Sequence, residues 1–224
     1  LGERDETRYG VFGEVAVERG VFEVVGGVRF DDRENFDGFV SPSLAIGVRA
    51  TEGVRFRTSA SRAFRTPTWT DRFYSDPANL GNPDLLVETG WSLEAGADID
   101  LPTFGRGATL GFTAFQRRTD DLIDFARPAG SPEDVLWVAR NVERADFTGL
   151  ELDLAGVRAG PVALSFTGFW LDLTTEGDDA FDSKTALRPM NRQLSLGADL
   201  PVGDRVTVVA RFMNRARLGQ ADAN

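Results

Sequence analysis

Long segments in which apolar and polar residues alternate are the feature that most restricts how this chain can fold. The clearest is 91–101, where every second residue is apolar and those between are polar or glycine. The apolar set consists of Trp91, Leu93, Ala95, Ala97, Ile99 and Leu101. A period of two places these side chains on one face of a β-strand and the polar residues on the other.

About ten segments show this pattern, and helical periodicity is nearly absent. The predicted strands are 8–18, 22–30, 44–50, 54–65, 91–101, 107–118, 147–155, 161–173, 192–200 and 205–215. Strands of ordinary globular proteins average five or six residues. A tilted strand needs about nine to eleven residues to cross the hydrocarbon core of a membrane. Most of these segments have that length, which favours a transmembrane β-barrel.

The connections between these strands alternate between short and long. Short ones lie at Arg19-Gly20, Glu52-Gly53, 102–106, 156–160 and 201–204, and long ones at 31–42, 66–89, 119–146 and 174–191. This order predicts an all-β, antiparallel up-and-down meander, with turns at one rim and loops at the other. Bacterial outer-membrane barrels have this asymmetry. The chain is therefore expected to form part of a large transmembrane β-barrel.

Aromatic residues near the ends of the long loops support a lipid-facing surface. They lie in phase with the apolar residues of their strands and are Tyr9, Phe30, Phe64, Trp91 and Trp170. Barrels in membranes carry such aromatic girdles at the lipid–water interface. A soluble β-sandwich with one solvated face is the alternative that strand alternation by itself leaves open.

Composition excludes several classes of function. The net charge is −10, which argues against a nucleic-acid partner because phosphate binding needs a basic face. The chain contains no cysteine and no histidine, so it has no thiolate metal site, no Cys nucleophile and no His-dependent catalytic triad. No catalytic residues, metal site or cofactor are expected, and an enzyme is the least favoured class.

Two motifs within one long connection resemble a known family. "RAFRTPTWTDRFY" is followed by "LGNPDLLVE", between positions 62 and 88. This order resembles the signature of TonB-dependent outer-membrane receptors, which is Phe-Arg-x-Pro-Thr, an aromatic-rich segment, and Gly-Asn-Pro-x-Leu-x-Pro-Glu. Val87 stands where the family usually has proline. Three further segments are similar to the family: "GVFGEVAVERGVFEVVGGVRFDD" at 10–32, "TAFQRRTDDLIDF" at 113–125 and "NVERADFTGLELDL" at 141–154.

The resemblance implies more than 224 residues contain. Such receptors have a barrel of about 22 strands around an N-terminal plug, and a segment before the plug contacts the TonB energy-coupling protein. Residues 1–224 are therefore expected to be a partial barrel domain, without the plug and the terminal strands. The implied function is active uptake of a scarce nutrient complex, such as a ferric siderophore, haem or cobalamin, across the bacterial outer membrane. A passive porin-like or adhesion barrel is the rival membrane hypothesis.

The loop at 66–89 holds the candidate ligand-binding residues. Trp69, Phe73 and Tyr74 are suited to touch an aromatic or macrocyclic ligand, and Arg65 stands before them at the strand end. Glu88 opens the return strand, where Arg65 or Arg62 is within reach by alternation. Barrel architecture is the simpler role for the motif residues, and packing within the loop is the alternative for the aromatics.

Two further sets of charged residues have a structural and a functional interpretation. Acidic residues in the long loops, Asp120-Asp121, Glu176 and Asp178-Asp179, could gather Ca²⁺ or form a solvated run of charge. Arginines on or near the predicted lumen positions could line a hydrated wall or guide an anionic chelate. These arginines are Arg55, Arg57, Arg117, Arg118 and Arg211.

Overall fold

The structure is a computed structural model that describes residues 5–176, 181–184 and 186–218. The described residues form one 12-stranded sheet, a helical turn α1 (Trp69–Phe73) and a 3-10 turn (Pro102–Phe104). The strands are β1 (Arg8–Arg19), β2 (Phe22–Arg33), β3 (Phe36–Thr51), β4 (Val54–Arg65), β5 (Asn79–Leu80), β6 (Glu88–Asp100), β7 (Thr109–Pro128), β8 (Trp137–Ala159), β9 (Val162–Glu176), β10 (Phe181–Ser183), β11 (Met190–Val202) and β12 (Val206–Arg217).

Ten long strands follow one another as an antiparallel meander. Their order in the sheet is β1-β2-β3-β4-β6-β7-β8-β9-β11-β12, and two short strands, β5 and β10, lie off this path. The all-β up-and-down architecture predicted from the alternation is confirmed. Ten strands were predicted, and the two additional ones come from within the long connections.

Two of the predicted long loops are largely strand and a third contains a short strand, and the sequence interpretation was wrong there. The 31–42 connection shrinks to a turn at Glu34-Asn35, where Asn35 adopts a φ of 70°. The 119–146 connection shrinks to the turn between Pro128 and Trp137, because β7 and β8 extend above the rest of the sheet. The 174–191 connection contains β10. The extension of β7 lacks clear alternation because residues on both of its faces, such as Leu122 and Ile123, are buried.

The apolar residues of neighbouring strands share one face across the whole sheet. The register aligns Leu44, Ala60 and Leu93 in one row, and Ala114, Leu150 and Trp170 in another. We call this side the apolar face. Trp91 is 48% exposed and Leu93 is 51% exposed. No second layer of the described residues covers this face, so the structure does not support a β-sandwich.

The height of the apolar face matches a membrane. The segment from Trp91 to Leu101, which ends one residue past β6, spans ten residue steps. This is about 33 Å along the strand and about 25 Å after a barrel tilt of about 40°. Tyr9, Phe30, Trp91 and Trp170 are exposed at its long-loop rim, as predicted, whereas Phe64 is half-buried and stacks on Phe39. Among the described residues, no helix is long and apolar enough to cross a membrane.

The opposite side, the polar face, carries charged residues that pair between strands. Arg57 donates to Asp98 over 3.2 Å and, across Gly96, to Thr113 over 2.7 Å. A Cβ atom at Gly96 would lie 3.0 Å from the guanidinium carbon of Arg57, so glycine leaves the space in which this side chain lies flat. Arg55 pairs with Glu23 on this face. The polar face thus carries arginines that pair with acidic residues of neighbouring strands.

The prediction that Arg118 lies near a lumen position was wrong. Arg118 stands directly opposite Trp91 in the β6–β7 register, which places it on the apolar face at the long-loop rim. Its Nε donates to Asp146 over 2.9 Å. Arg117, the neighbouring residue, points to the polar face and contacts Glu88. A one-residue error in phase moves a side chain to the other side of a sheet.

Charge placed on the apolar face tests this orientation. In the full-length protein folded in detergent or bilayers, Ala97→Arg lies near the middle of the apolar face and is expected to lower the free energy of unfolding by about 2–4 kcal/mol. Thr148→Arg lies on the same face at the rim, where the expected cost is about 0–1 kcal/mol. Urea-induced unfolding measures both. Equal costs at the two depths would contradict a lipid-facing surface.

Candidate functional site

The loop end of the sheet contains the buried cluster of the described residues. Leu85, Ile123 and Ala139 are buried together, and Phe125 packs against them. Leu85 belongs to the 66–87 loop, and the other three belong to the extensions of β7 and β8. This apolar core therefore lies beyond the long-loop rim of the sheet, where it fixes the 66–87 loop on the β7–β8 hairpin.

Two loops cross this hairpin in opposite directions. The loop after β4 reaches over to the far edge of β8, where β5 pairs in parallel with Trp137 and Val138. The loop after β9 returns to the far edge of β7, where β10 pairs with Ala126, Arg127 and Pro128. The Lys184 ammonium donates to the Asn79 side-chain oxygen. The two loops and the hairpin thus form one interlocked unit, which we call the loop cap.

The first motif builds the start of the 66–87 loop. Thr68 caps α1 through a capping box, in which its hydroxyl accepts from the Asp71 amide and Asp71 accepts from the Thr68 amide. Pro67 is fully buried before this cap. Gly81 passes so close to α1 that a Cβ atom would lie 2.8 Å from the Phe73 amide nitrogen. The conformation of the loop thus requires these motif residues: Thr68 and Asp71 cap α1, and Gly81 allows the close approach to it.

A network of charged groups, the Arg65–Glu88 cluster, ties this loop to the sheet. Glu88 is 5% exposed and accepts from Arg65 Nε over 3.1 Å, from Arg117 over 3.5 Å and from the Ile123 amide over 3.2 Å. Arg65 also donates to Asp71 and to the Ile123 carbonyl, each over 3.1 Å. A buried carboxylate is tolerated because its oxygens are paired in this way.

The sequence left Arg65 and Arg62 open as partners of Glu88, and the structure distinguishes them. Arg65 is the partner, whereas Arg62 lies on the apolar face and cannot reach it. The guanidinium of Arg65 has three protein partners, so its contacts are those of a structural anchor. A ligand-binding role for Arg65 stays a prediction.

Two other anchors carry roles that the sequence did not reveal. Asn141 donates to the carbonyls of Leu86 and Asp121 and accepts from the Leu86 amide, which fastens the loop to β8. Asp124 is 3% exposed and accepts from the Ser183 hydroxyl and the Ala186 amide. Sequence alone offers no signal for Asp124, whereas the spacing of Thr68 and Asp71 is a recognisable capping pattern.

The predicted aromatic residues are brought together at the loop surface. Trp69 and Phe73 stack with ring centroids 5.6 Å apart, and Arg72 lies over both rings. Tyr74 is 37% exposed beside them. Phe36 of β3 completes the group, because Arg72 also lies 5.3 Å from its ring centroid. The site has π-faces and a cation next to the polar face, which suits a planar or aromatic ligand.

Asp76 fixes the turn that follows Tyr74. Its carboxylate accepts from the Tyr74 hydroxyl over 2.8 Å and from the amides of Ala78 and Asn79 over 2.7 and 2.6 Å. The bond from Tyr74, then that from Ala78, lowers the pKa of Asp76 to about 2. The same bond raises the pKa of Tyr74 above its ordinary value.

Two of the acidic residues considered for Ca²⁺, Asp120 and Glu176, are held by an arginine. Arg144 donates to Asp120 over 2.9 Å and to Glu176 over 2.7 Å. Burial, with Asp120 and Glu143 nearby, raises the pKa of Asp121. In the described part of the chain, no three His, Cys, Asp or Glu side chains gather as ligands for a metal ion. Asp178 and Asp179 lie outside the described residues.

Comparison with known proteins identifies the sheet and its loops. The model of the TonB dependent receptor-like β-barrel family matches residues 2–222. The chain belongs to this family. Vitamin B12 transporter BtuB of Photobacterium profundum is 28% identical over 154 residues, which are 69% of this chain and 24% of that protein. Vitamin B12 transporter BtuB of Vibrio vulnificus is 31% identical over 143 residues, which are 64% of this chain and 21% of that protein.

Solved structures share the fold. The siderophore receptor PirA from Pseudomonas aeruginosa superposes with a TM-score of 0.73 at 20% identity, over 94% of this chain and 38% of that one. The ferric enterobactin receptor PfeA from the same species, in its G324V mutant, gives 0.70 at 19% identity, over 92% of this chain and 32% of that one. This chain therefore spans about a quarter of its curated relatives and about a third of these receptors.

Removing the charge of Glu88 tests the Arg65–Glu88 cluster. Glu88→Gln keeps the shape but replaces an accepting oxygen with an amide group, so the bonds from Arg65 and the Ile123 amide weaken. Protection of the 66–87 loop and the Ile123 amide against hydrogen exchange is expected to fall about 10- to 100-fold in the full-length protein, as for hydrogen bonds to charged groups worth about 1.5–3 kcal/mol. Asp84→Asn, exposed in the same loop, serves as the control. Unchanged protection in Glu88→Gln would show that the cluster does not hold the loop.

The Asp76 turn has a defined dependence on pH. Because folding lowers the pKa of Asp76, the contribution of its carboxylate to loop stability is present above the ordinary pKa of about 3.9 and is lost as pH falls towards 2. Tyr74→Phe removes the largest cause of the lowering, so the pKa of Asp76 is expected to rise. A carbon-13 NMR titration of the aspartate carboxyls measures this, with Tyr9→Phe as the matched control. An Asp76 titration unaltered by Tyr74→Phe would refute the assignment.

Proposed function

We propose that this chain is part of the barrel of an outer-membrane receptor that actively takes up a scarce nutrient complex. The observation that carries the proposal is the match of the receptor family over residues 2–222. A single-layered sheet with an apolar face, a charged polar face and an ordered loop cap gives it a physical basis. In this assignment the apolar face meets lipid of the bacterial outer membrane, and the polar face lines the lumen.

The loop cap is the proposed region of ligand capture. It stands at the long-loop rim, which is the extracellular rim in barrels of this kind. Trp69, Phe73 and Tyr74 present rings with little freedom to reorient, because α1 and the Asp76 turn hold them. Pre-ordered aromatic residues bind a rigid ligand at a low entropic cost. The Arg65–Glu88 cluster acts below them as a positioning element.

The ligand class follows from the relatives and is part of the proposal. The curated relatives are vitamin B12 transporters, whereas the solved receptors of this fold are named for siderophores or ferric enterobactin. Cobalamin and metal chelates are both large, partly planar and too big for passive diffusion through a narrow pore. The sequence relationship favours cobalamin, because the solved structures are too distant to show more than the fold.

The remaining steps lie with parts of the receptor beyond this chain. We infer that a plug domain occupies the lumen, where the paired charges of the polar face offer a hydrated wall for it. Energy comes from the TonB coupling protein at the inner membrane, and transport involves no catalytic centre. A passive porin-like barrel has no need of such coupling, so dependence of uptake on TonB separates the two hypotheses.

Binding and uptake by cells expressing the full-length protein test the proposal. Trp69→Ala removes one ring of the stacked pair and is expected to weaken binding of radiolabelled cyanocobalamin about tenfold, as for loss of an aromatic contact worth about 1–1.5 kcal/mol. Phe104→Ala, exposed at the opposite rim, is the control and is expected to bind normally. Uptake by the unmodified protein is expected to stop when TonB is deleted.

Each outcome has a distinct meaning. TonB-independent uptake would refute active transport and favour a passive pore. Normal binding in Trp69→Ala, with the protein folded, would remove the aromatic residues from the ligand site while leaving the transport proposal standing. Binding of a ferric siderophore in place of cyanocobalamin would correct the ligand class alone.

A further inference from the structure

A shallow groove interrupts the apolar face between β4, β6 and β7. Its floor is a row of three small side chains, Thr58, Ala95 and Ala114, which are direct neighbours in the register. Ile46 and Leu150 continue the same row on either side and form its walls. The groove has a volume of about 560 Å³ and is almost wholly apolar. It is wide enough for hydrocarbon, and the polar side chains that reach it from the apolar face are Thr58, Gln116 and Thr148. The Thr58 hydroxyl already donates to the Glu94 carbonyl.

Two arginines stand above this groove. Arg62 and Arg118 flank Trp91 in one row of the register, four residues above the floor on their respective strands. Four residues span about 13 Å along a strand, or about 10 Å of depth after a barrel tilt of about 40°. That depth approaches half the height of about 25 Å of the apolar band of an outer-membrane barrel. The guanidinium groups therefore lie at the height where acyl chains end and headgroups begin.

The two arginines differ in how their charge is compensated. Arg118 donates to Asp146, and its side chain remains 53% exposed. Arg62 lies 4.6 Å from the ring centroid of Phe39, and no carboxylate of the described residues comes within 4.0 Å of it. Stacking on a ring holds a guanidinium in place without neutralising it. The pair thus retains positive charge next to an apolar groove.

We propose that this groove and its two arginines bind one phosphate-bearing lipid of the outer leaflet. An acyl chain lies along Thr58, Ala95 and Ala114, and the headgroup phosphate contacts Arg62 and Arg118. Guanidinium groups bind phosphate oxygens in bidentate fashion, and Trp91 packs between them at the interface. The site goes beyond the proposed uptake function, which does not require it.

A second groove shows why charge decides the choice of ligand. It is formed by β9, β11 and β12, has a volume of about 450 Å³, and is also apolar. Its floor includes Ala198 and Ala210, which pair in the register. The arginine above it on β11, Arg192, is six residues from Ala198, or about 20 Å along the strand. After a barrel tilt of about 40° this is about 15 Å of depth, against about 10 Å for Arg62 above Thr58. The second groove therefore has no guanidinium at the height at which Arg62 and Arg118 stand above the first.

The experiment uses the full-length receptor in detergent, titrated with dioleoylphosphatidylglycerol, with bound lipid counted by native mass spectrometry. Arg62→Gln is expected to weaken the tightest lipid adduct about fivefold, as for loss of about 1 kcal/mol per basic residue at a membrane surface. Ala95→Leu fills the groove and is expected to abolish that adduct. Ala198→Leu fills the second groove and is the matched control, with affinity expected to stay unchanged. Dioleoylglycerol, which lacks the phosphate, is expected to bind at least fivefold more weakly.

Several results would overturn the proposal. They are equal affinity of Arg62→Gln and the unmodified receptor, an unchanged adduct in Ala95→Leu, or equal binding of dioleoylglycerol. Heat-modifiable migration on gels shows whether each variant is folded. Arg62→Lys keeps the positive charge and is expected to retain more affinity than Arg62→Gln, so it tests the charge if the glutamine variant does not fold. Transport of cyanocobalamin is read separately, and failure of lipid binding leaves the uptake proposal intact.

Discussion

Lateral hydrogen bonding between strands is the constraint on which this molecule depends. The apolar face has no second layer among the described residues, so packing against another sheet cannot stabilise it. In lipid every backbone donor and acceptor must be satisfied by a neighbouring strand. The continuous antiparallel register from β1 to β12 provides this between the strands, whereas no described strand pairs with the outer edges of β1 and β12. The long strands, the apolar face and the polar face all follow from that arrangement.

The loop cap is stabilised by other interactions than the sheet. Above the apolar face the chain meets water, and there it forms a small buried cluster with paired charges such as those of Arg65 and Glu88. Burial and charge-assisted hydrogen bonds replace lipid as the source of order. The cap therefore resembles a small soluble domain set on a membrane sheet, which explains how long loops hold a defined shape.

Alternation along the strands was enough to predict the sheet, its order and its two faces, because a period of two is directly visible in segments such as 91–101. Alternation did not predict the strand residues of β7 and β8 that extend into the loop cap. In β7, Asp121 adopts a φ of 55°, and the successive residues Leu122, Ile123 and Asp124 are all buried. Because both faces of the strand are covered there, spacing alone does not assign Ile123 and Asp124 to faces. The pairing of Glu88 with Arg65 was within reach of sequence reasoning, since both start or end a strand on one phase. The contacts of Asn141 and Asp124 could not be predicted from the sequence, because their partners come from distant loops.

The crossing of two loops over one hairpin has a consequence for how receptors of this kind can diverge. The 66–87 loop lies against Ile123, and the segment after β10 lies against Asp124, so successive residues of β7 present opposite faces to the two loops. An insertion in either loop near these contacts shifts the hairpin and thereby disturbs the other loop. Sequence changes are then tolerated mainly in the parts of the two loops that do not contact the hairpin. Changes in the contacting segments of one loop require matching changes in the other.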